Sequence, residues 1–411
     1  MKIWRLIILC FLFVSSGSYS QSFVFGEKKY ISNPGISIFP YFPDGHISYG
    51  KLDENRFYKI WAGSTSYITV GNSYFNQDSI WGQGLKRGDS ADFDNGGAWL
   101  YSVFILDSNY WLGFYHAEDH LFPGFANREQ IAWKSIAQCV SFDRGRTWEK
   151  RGQIITTDQI KPNKPTWGGH ADFTVVRDSQ NKRWIAYFVV PEGLGMAISE
   201  DSFARAGTWK KHYNGSFTEP GIGGMASALN FSKDFRRGGN PSIIYSKKRN
   251  KWIMVYHDWN LRGIYLTTSM DLMNWDFPIL LVENNSSIGK IWYPNLVGEN
   301  SDMHSDSILW LSYAEFPNNA KPERKYITRK LIYVDENSKN QVFVNRMLLV
   351  DSSIVTIKIY SSNGLLTETW YDKIHLGPGE YDFPWKEFKR TGVFILSTEI
   401  NQEKKTFKVV R

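Results

Sequence analysis

Ser141-Phe-Asp-Arg-Gly-Arg-Thr-Trp148 sets the architecture of the chain. Ser141 and Asp143 carry short polar side chains that bond the backbone of a turn. Gly145 supplies a backbone conformation closed to other residues. Trp148 supplies a large ring that packs the turn onto the structure beneath. Every residue has a mechanical job, so Asp143 reads as structural and the stretch marks a tight turn after a strand.

The ending recurs. Ser199-Glu-Asp201 leads to Gly207-Thr-Trp209, and Ser269-Met-Asp271 leads to Trp275, so the tryptophans stand 61 and 66 residues apart. Working outward, four segments share one layout: a strand, a polar turn, then a strand opened by an aromatic. Gly97 to Phe104 precedes Tyr110 to Tyr115, and His170 to Val176 precedes Arg183 to Phe188. Gly239 to Ile244 precedes Lys251 to Tyr256, and Tyr293 to Val297 precedes Leu309 to Tyr313. A long regular period built from strands predicts a propeller with one four-stranded sheet per blade. Residues 45–75 hold strands for one more, so five blades fit best, with four and six open. The chain is 411 residues long and 16% aromatic, with 17 Trp, 22 Tyr and 27 Phe. Flat rings favour strands and suit stacking on sugars, although most supply core. The predicted fold class is therefore all-β: a five-bladed β-propeller followed by a small C-terminal β-sandwich.

Lys2 and Arg5 followed by the short apolar run Ile7 to Val14 make residues 1–20 a signal peptide rather than a membrane span. Its removal leaves Cys139 as the one cysteine, so no intramolecular disulfide is expected. The propeller is assigned to residues 21–348. From 349 to 411 the pattern changes to hairpins: Ile354 to Tyr360 before an Asn-Gly turn, Gly377 to Tyr381, Gly392 to Ser397, and a Lys-rich end in Lys-Val-Val. This region resembles the C-terminal sorting domain of the type IX secretion system of Bacteroidetes. The resemblance implies export through that machinery to the medium or the cell surface. The net charge of +7 is spread along the chain, which argues against nucleic acid and leaves an anionic glycan as one option beside plain solubility.

Ser141 to Trp148 fits the Asp-box pattern of sialidases and other secreted glycosidases. The Arg-Ile-Pro tripeptide usual in sialidases is not found. His170-Ala-Asp172-Phe-Thr-Val-Val-Arg-Asp178, Trp184 to Tyr187 and Met196 to Ser199 instead resemble the five-bladed glycoside hydrolases. That group holds arabinanases, xylosidases, invertases and anhydrogalactosidases, and the resemblance spans roughly residues 90–335. The chain departs from it in lacking an Asp-Pro opening at the first blade. The resemblance implies cleavage of glycosidic bonds by paired carboxylates at the axis, with a third carboxylate tuning the acid.

Aligning the blades picks out the axial candidates. First strands begin near Asp94, His170 and Asp172, Asn240, and Tyr293 with Asn295. Second strands end at His116-Ala-Glu118-Asp119-His120, Glu192, His257-Asp258 and Glu315. Glycoside hydrolysis needs one acid to protonate the leaving oxygen and a second carboxylate as base or nucleophile. Asp172 is the expected base or nucleophile, Glu118 or Glu315 the acid, and Asp258 a supporting carboxylate. His116, His120, His170, Asn240, His257, Arg262 and Tyr293 are expected substrate contacts, with Trp167 and Trp259 as stacking platforms. Along a strand, residues 116, 118 and 120 share one face. No cofactor is required, no metal ligand is assigned, and a calcium ion stays open. A lyase using His116 or Tyr115 as base, and a non-catalytic glycan-binding propeller, are the competing functions.

Overall fold

The computed structural model describes residues 22–30, 44–125, 131–229, 238–258, 263–284, 289–316, 325–334, 341–342, 346–349, 352–361, 365–384, 388 and 393–410. Residues 1–20, read from the sequence as a signal peptide, and Trp259 and Arg262 lie outside them. The described residues are all-β, and they form two compact units, Glu27–Leu331 and Ile332–Arg411 with Met1–Gly26.

The first unit is a propeller of five sheets. From the axis outward, the first blade is Tyr49–Lys51, Phe57–Trp61, Tyr67–Gly71 and Gln77–Gln83. The second is Gly97–Ile105, Trp111–Asp119, Trp133–Ser141 and Glu149–Ile155. The third is Thr174–Asp178, Arg183–Val190, Gly193–Ser199 and Lys210–Tyr213, extended by Ser216–Pro220. The fourth is Gly238–Ser246, Lys251–Asp258, Gly263–Ser269 and Ile279–Glu283. The fifth is Lys290–Val297, Leu309–Phe316 and Lys325–Val334, and its outer edge is Ser22–Tyr30 from the other end of the chain.

Inner strands are buried on both faces and so read as apolar runs, whereas outer strands such as Ser216–Pro220 alternate. The repeat has a structural cause. Trp111, Trp184 and Trp252, which open second strands, pair directly with Ser141, Ser199 and Ser269, which open the turns. Within the first of those turns, Ser141 Oγ accepts from the Gly145 amide at 2.8 Å and Asp143 accepts from Thr147 N and Oγ1 at 2.8 and 2.6 Å. Gly145 has φ 80°, and Trp148 Nε1 donates to its carbonyl at 3.0 Å.

Side-chain hydrogen bonds tie neighbouring blades into a closed ring. Ser66 Oγ of the first blade accepts from Leu100 N of the second at 2.8 Å, and Ser102 Oγ accepts from Val175 N of the third at 3.2 Å. Asn240 Nδ2 of the fourth lies 3.4 Å from Asp172 Oδ1, which precedes the third. Ser242 Oγ accepts from Leu296 N of the fifth at 2.9 Å, and Asn295 Oδ1 accepts from Ile47 N of the first at 3.0 Å.

In the second unit Gln341–Val342 pairs with Arg346–Leu349, which pairs in turn with Gly379–Asp382, and Leu366–Leu376, Ser353–Ser361, Val393–Ile400 and Glu403–Val410 form a second sheet in that order. The alternation in Ser353–Ser361 turns Val355, Ile357 and Ile359 inward onto Met347, Phe388 and Leu396. The sequence places the start of this domain at residue 349, while the compact unit takes in the chain from Ile332.

Candidate functional site

The polar cluster at the axis is assembled first from the second and third blades. Trp111–Asp119 delivers His116 and Glu118 on one face, as strand alternation requires. Glu118 Oε1 lies 3.0 Å from His116 Nε2, and Oε2 lies 2.7 Å from His120 Nε2. The other ring nitrogen of His116, Nδ1, is 3.3 Å from both the carboxylate and the amide of Asp172. Lys134 Nζ, from Trp133–Ser141, is 2.7 Å from Asp172 Oδ2. His116 thus stands between two carboxylates.

Local geometry explains how Asp172 arrives there. Gly168–Gly169 pairs in parallel with Trp133 and Lys134, and His170 N donates to the Lys134 carbonyl. Gly169 has φ 87°, and a Cβ there would sit 2.0 Å from the Lys134 carbonyl oxygen. The strap therefore requires glycine, and it sets Asp172 over the second blade with φ 52°. Asn240 (φ 46°) and Tyr293 (φ 54°) stand at the matching places of the next two blades. A left-handed tyrosine is rare, and such strain gathers at functional sites.

A carboxylate absent from the sequence candidates joins the cluster. Asp44 Oδ1 accepts from the Tyr293 hydroxyl at 2.8 Å, and the buried Tyr101 hydroxyl donates to the Asp44 carbonyl at 3.4 Å. Burial pushes the Tyr101 phenol well up, reinforced by the charges of Asp172, Asp44 and Glu118. Gly45 between them has φ 139°, and its missing Cβ is where the Tyr101 ring lies. The sequence holds Asp44 one residue after a proline, the reverse of the Asp-Pro order, which hid it. Lys134 stands as a charge within an apolar strand, but nothing near it along the chain links it to Asp172.

The electrostatics follow from these contacts. Burial acts to raise the Asp172 carboxyl, but Lys134 and His116 outweigh it and hold the group far below the usual carboxylate range. Burial likewise opposes the charge on Glu118, and hydrogen bonds from His116 and His120 bring it down to about 2. For His116, burial disfavours the imidazolium, yet bonds to Asp172 and Glu118 raise it above its ordinary value. Lys134 is raised by Asp172 against its own desolvation. His257, fully buried, is pushed by desolvation down to about 4, with Asp172 and Lys134 acting on it from nearby.

The remaining candidates are placed as follows. Asp258 is buried at the end of its strand opposite Gly238. Glu315 is buried opposite Ile291 and bonds the Tyr313 hydroxyl on its own strand. Trp167 is 56% exposed, with Lys134 Nζ 5.7 Å from its ring centroid, so it stands open beside Asp172. His170 turns away: it packs on Phe188, and burial with the Lys211 charge lowers it to about 4. Asp94 is taken up by Lys150 at 2.5 Å and Tyr115 at 3.1 Å, and Glu192 is exposed in a turn. Among the described residues no group of three or more His, Cys, Asp or Glu side chains has metal-holding geometry, and no helix is long and apolar enough to cross a membrane.

No protein-family model and no curated protein matches the chain. Solved structures with a similar fold include a family 117 glycoside hydrolase of Zobellia galactanivorans, at 10% identity and TM-score 0.47 over 76% of this chain and 90% of that one. An exo-β-1,3-galactanase of Phanerochaete chrysosporium is 6% identical, with TM-score 0.45 over 95% and 100%. The catalytic domain of a family 62 α-L-arabinofuranosidase of Coprinopsis cinerea is 11% identical, with TM-score 0.43 over 76% and 97%.

Proposed function

We propose that this propeller is a secreted glycoside hydrolase that cleaves glycosidic bonds of a poly- or oligosaccharide at the axial cluster. The observation that carries the reading is Asp172: a buried carboxylate, on strained backbone, held ionised by Lys134 and His116 where the inner strands begin. An ionised carboxylate beside a second one is the equipment of a base or nucleophile in this chemistry. Asp44 of the first blade, which accepts from the Tyr293 hydroxyl and acts with Asp172 on the Tyr101 phenol, supplies that second carboxylate. Trp167 offers an exposed ring on which a sugar face stacks.

Glu118 fits the acid role poorly, because a proton donor works best with a pKa near the operating pH and Glu118 is held near 2. Its two histidine bonds fit a positioning role, fixing His116 against Asp172. The acid role then falls to Glu315, with Asp258 in support. The lyase reading is disfavoured: His116 is raised and engaged on both nitrogens, and the buried Tyr115 hydroxyl donates to Asp94. The hydrolase reading needs no cofactor. Export through the type IX machinery is part of the proposal and rests on the sequence pattern of the last sixty or so residues.

The test is reducing-sugar release from a panel of galactans, arabinans and xylans. Wild type should release sugar without ultraviolet-absorbing products, and Asp172→Asn should not. Unsaturated products, or full activity in Asp172→Asn, would overturn the reading.

A further inference from the structure

The strap that ends at Gly168–Gly169 starts where the outer strand Glu149–Ile155 of the second blade stops. Part of it is bare to solvent: Ile160 is 93% exposed and Trp167 56%. Two anchors hold it to the second blade. Gly168–Gly169 is one, paired with Trp133 and Lys134, and a Cβ on Gly168 would sit 2.2 Å from the Trp133 ring. Lys161 is the other. Its ammonium is 2.6 Å from Asp119 Oδ2, donates to the Leu121 carbonyl and stands 4.5 Å from the Phe122 ring centroid. Asp119 and Trp133 face each other across the ladder, so both anchors sit on one pair of strand ends. Trp167 lies in the span between them, which Pro162 and Pro165 stiffen.

The Lys161 anchor is itself fixed. Asp119 Oδ1 accepts from Asn95 Nδ2 at 2.6 Å and from Leu121 N at 3.0 Å. Asn95 is buried, its Nδ2 also donates to the Asp92 carbonyl at 2.7 Å, and its Oδ1 accepts from His120 N at 3.0 Å. A part-exposed pair such as Lys161 with Asp119 adds little to stability, since water screens the charges and ordering the side chains costs entropy. Its effect is on geometry. The other hydrogen bonds of residues 158–167 stay within the strap: Thr157 Oγ1 donates to Asp158 Oδ1, Gln159 N to Thr157 Oγ1, and Thr166 Oγ1 to the Lys164 carbonyl. Without Lys161, the stretch bearing Trp167 is tied to the blade at its Gly168 end alone.

We propose that Lys161 is a positioning residue for substrate binding: latched to Asp119, it holds Trp167 as a fixed stacking wall beside Asp172. The inference rests on the glycoside hydrolase reading, in which a sugar face stacks on that ring. Lys161 takes its partners from residues 119–122 and none from Asp172 or Glu118, so the latch sets affinity for the substrate rather than the rate of bond cleavage.

The test is steady-state kinetics on the best polysaccharide of the panel, beside hydrogen exchange of the strap. Lys161→Met should raise KM about tenfold with kcat within about twofold, the worth of one well-placed aromatic contact, while Tm stays close to wild type. Lys161→Arg, which keeps the ion pair, should restore KM. Trp167→Ala should raise KM by a similar factor, and the double variant should be no worse than Trp167→Ala alone, since both changes remove the same contact. Amides of residues 159–167 should exchange faster in Lys161→Met and at the wild-type rate in Lys161→Arg. Additive losses in the double variant, a fall in kcat with KM unchanged, or unaltered exchange in Lys161→Met would overturn the proposal. If wild type cleaves no glycan, the hydrolase reading fails and exchange alone decides the latch: faster exchange in Lys161→Met supports it, and unaltered exchange removes it.

Discussion

Asp143 and Asp172 are two aspartates of adjacent blades with opposite kinds of surroundings. Asp143 takes its partners from its own turn, Ser141 and Thr147, none more than four residues away. Asp172 takes its partners from 38, 56 and 68 residues away: Lys134, His116 and Asn240. Both carboxyls are held below the usual range, by different means. Backbone and hydroxyl donors do it at Asp143 and a buried ammonium with an imidazole at Asp172, each against the cost of burial. Local partners make a turn, whereas partners converging from several blades make a place where charge is concentrated and water is scarce.

Neutralising each aspartate in turn separates the two cases most clearly. Asp172→Asn should lower kcat/KM by about 10²–10⁴-fold with the fold intact, because a base or nucleophile is lost. Circular dichroism and steady-state kinetics on the best polysaccharide check both halves. Asp143→Asn should leave kcat/KM within about twofold.

Lys134→Met tests whether the ammonium holds Asp172 ionised. Without it the Asp172 carboxyl rises, so the acid limb of the kcat/KM profile should move to higher pH. An acid limb that stays in place would mean that His116 alone sets the charge.

Glu118→Gln tests the histidine bracket through stability. The folded pKa of Glu118, about 2, lies below its ordinary 4.5, so its contribution is present above about pH 4.5 and fades as pH falls towards 2. The variant should lose on the order of 3 kcal/mol at neutral pH and should show a flatter acid dependence of Tm than wild type. His116 runs the opposite way. Its raised pKa stabilises the fold fully below about pH 6.5, and that contribution is lost as pH rises through the folded value.

The smallest effect is expected at the turn. Asp143→Ala should cost about 1 kcal/mol in urea unfolding, the worth of a hydrogen bond or two at a part-exposed site. A much larger loss would make the turn more than a local clasp.

The same contrast explains what could be read from the sequence. The turns at Ser141, Ser199 and Ser269 and the aromatics at Trp111, Trp184 and Trp252 are legible because their physics is local. Once located, they set the period and the blade register. Inner strands were legible because burial on both faces makes them apolar runs. Ser22–Tyr30 was not, since joining the last blade depends on ring closure and leaves no local trace. At the site, His116, Glu118 and His120 were found together because a period of two gathers them. Lys134 and Asp44 were missed, because their approach to Asp172 and Tyr101 is set by the strap at Gly169 and the close contact at Gly45.

The central claim is that the axial carboxylates direct water to a glycosidic bond. It is tested most directly by digesting the polysaccharide panel in ¹⁸O-labelled water and weighing the products. Wild type should give products carrying one ¹⁸O at the new reducing end, and Asp172→Asn should give none. Unlabelled, unsaturated products, or labelled products from Asp172→Asn at the wild-type rate, would contradict it.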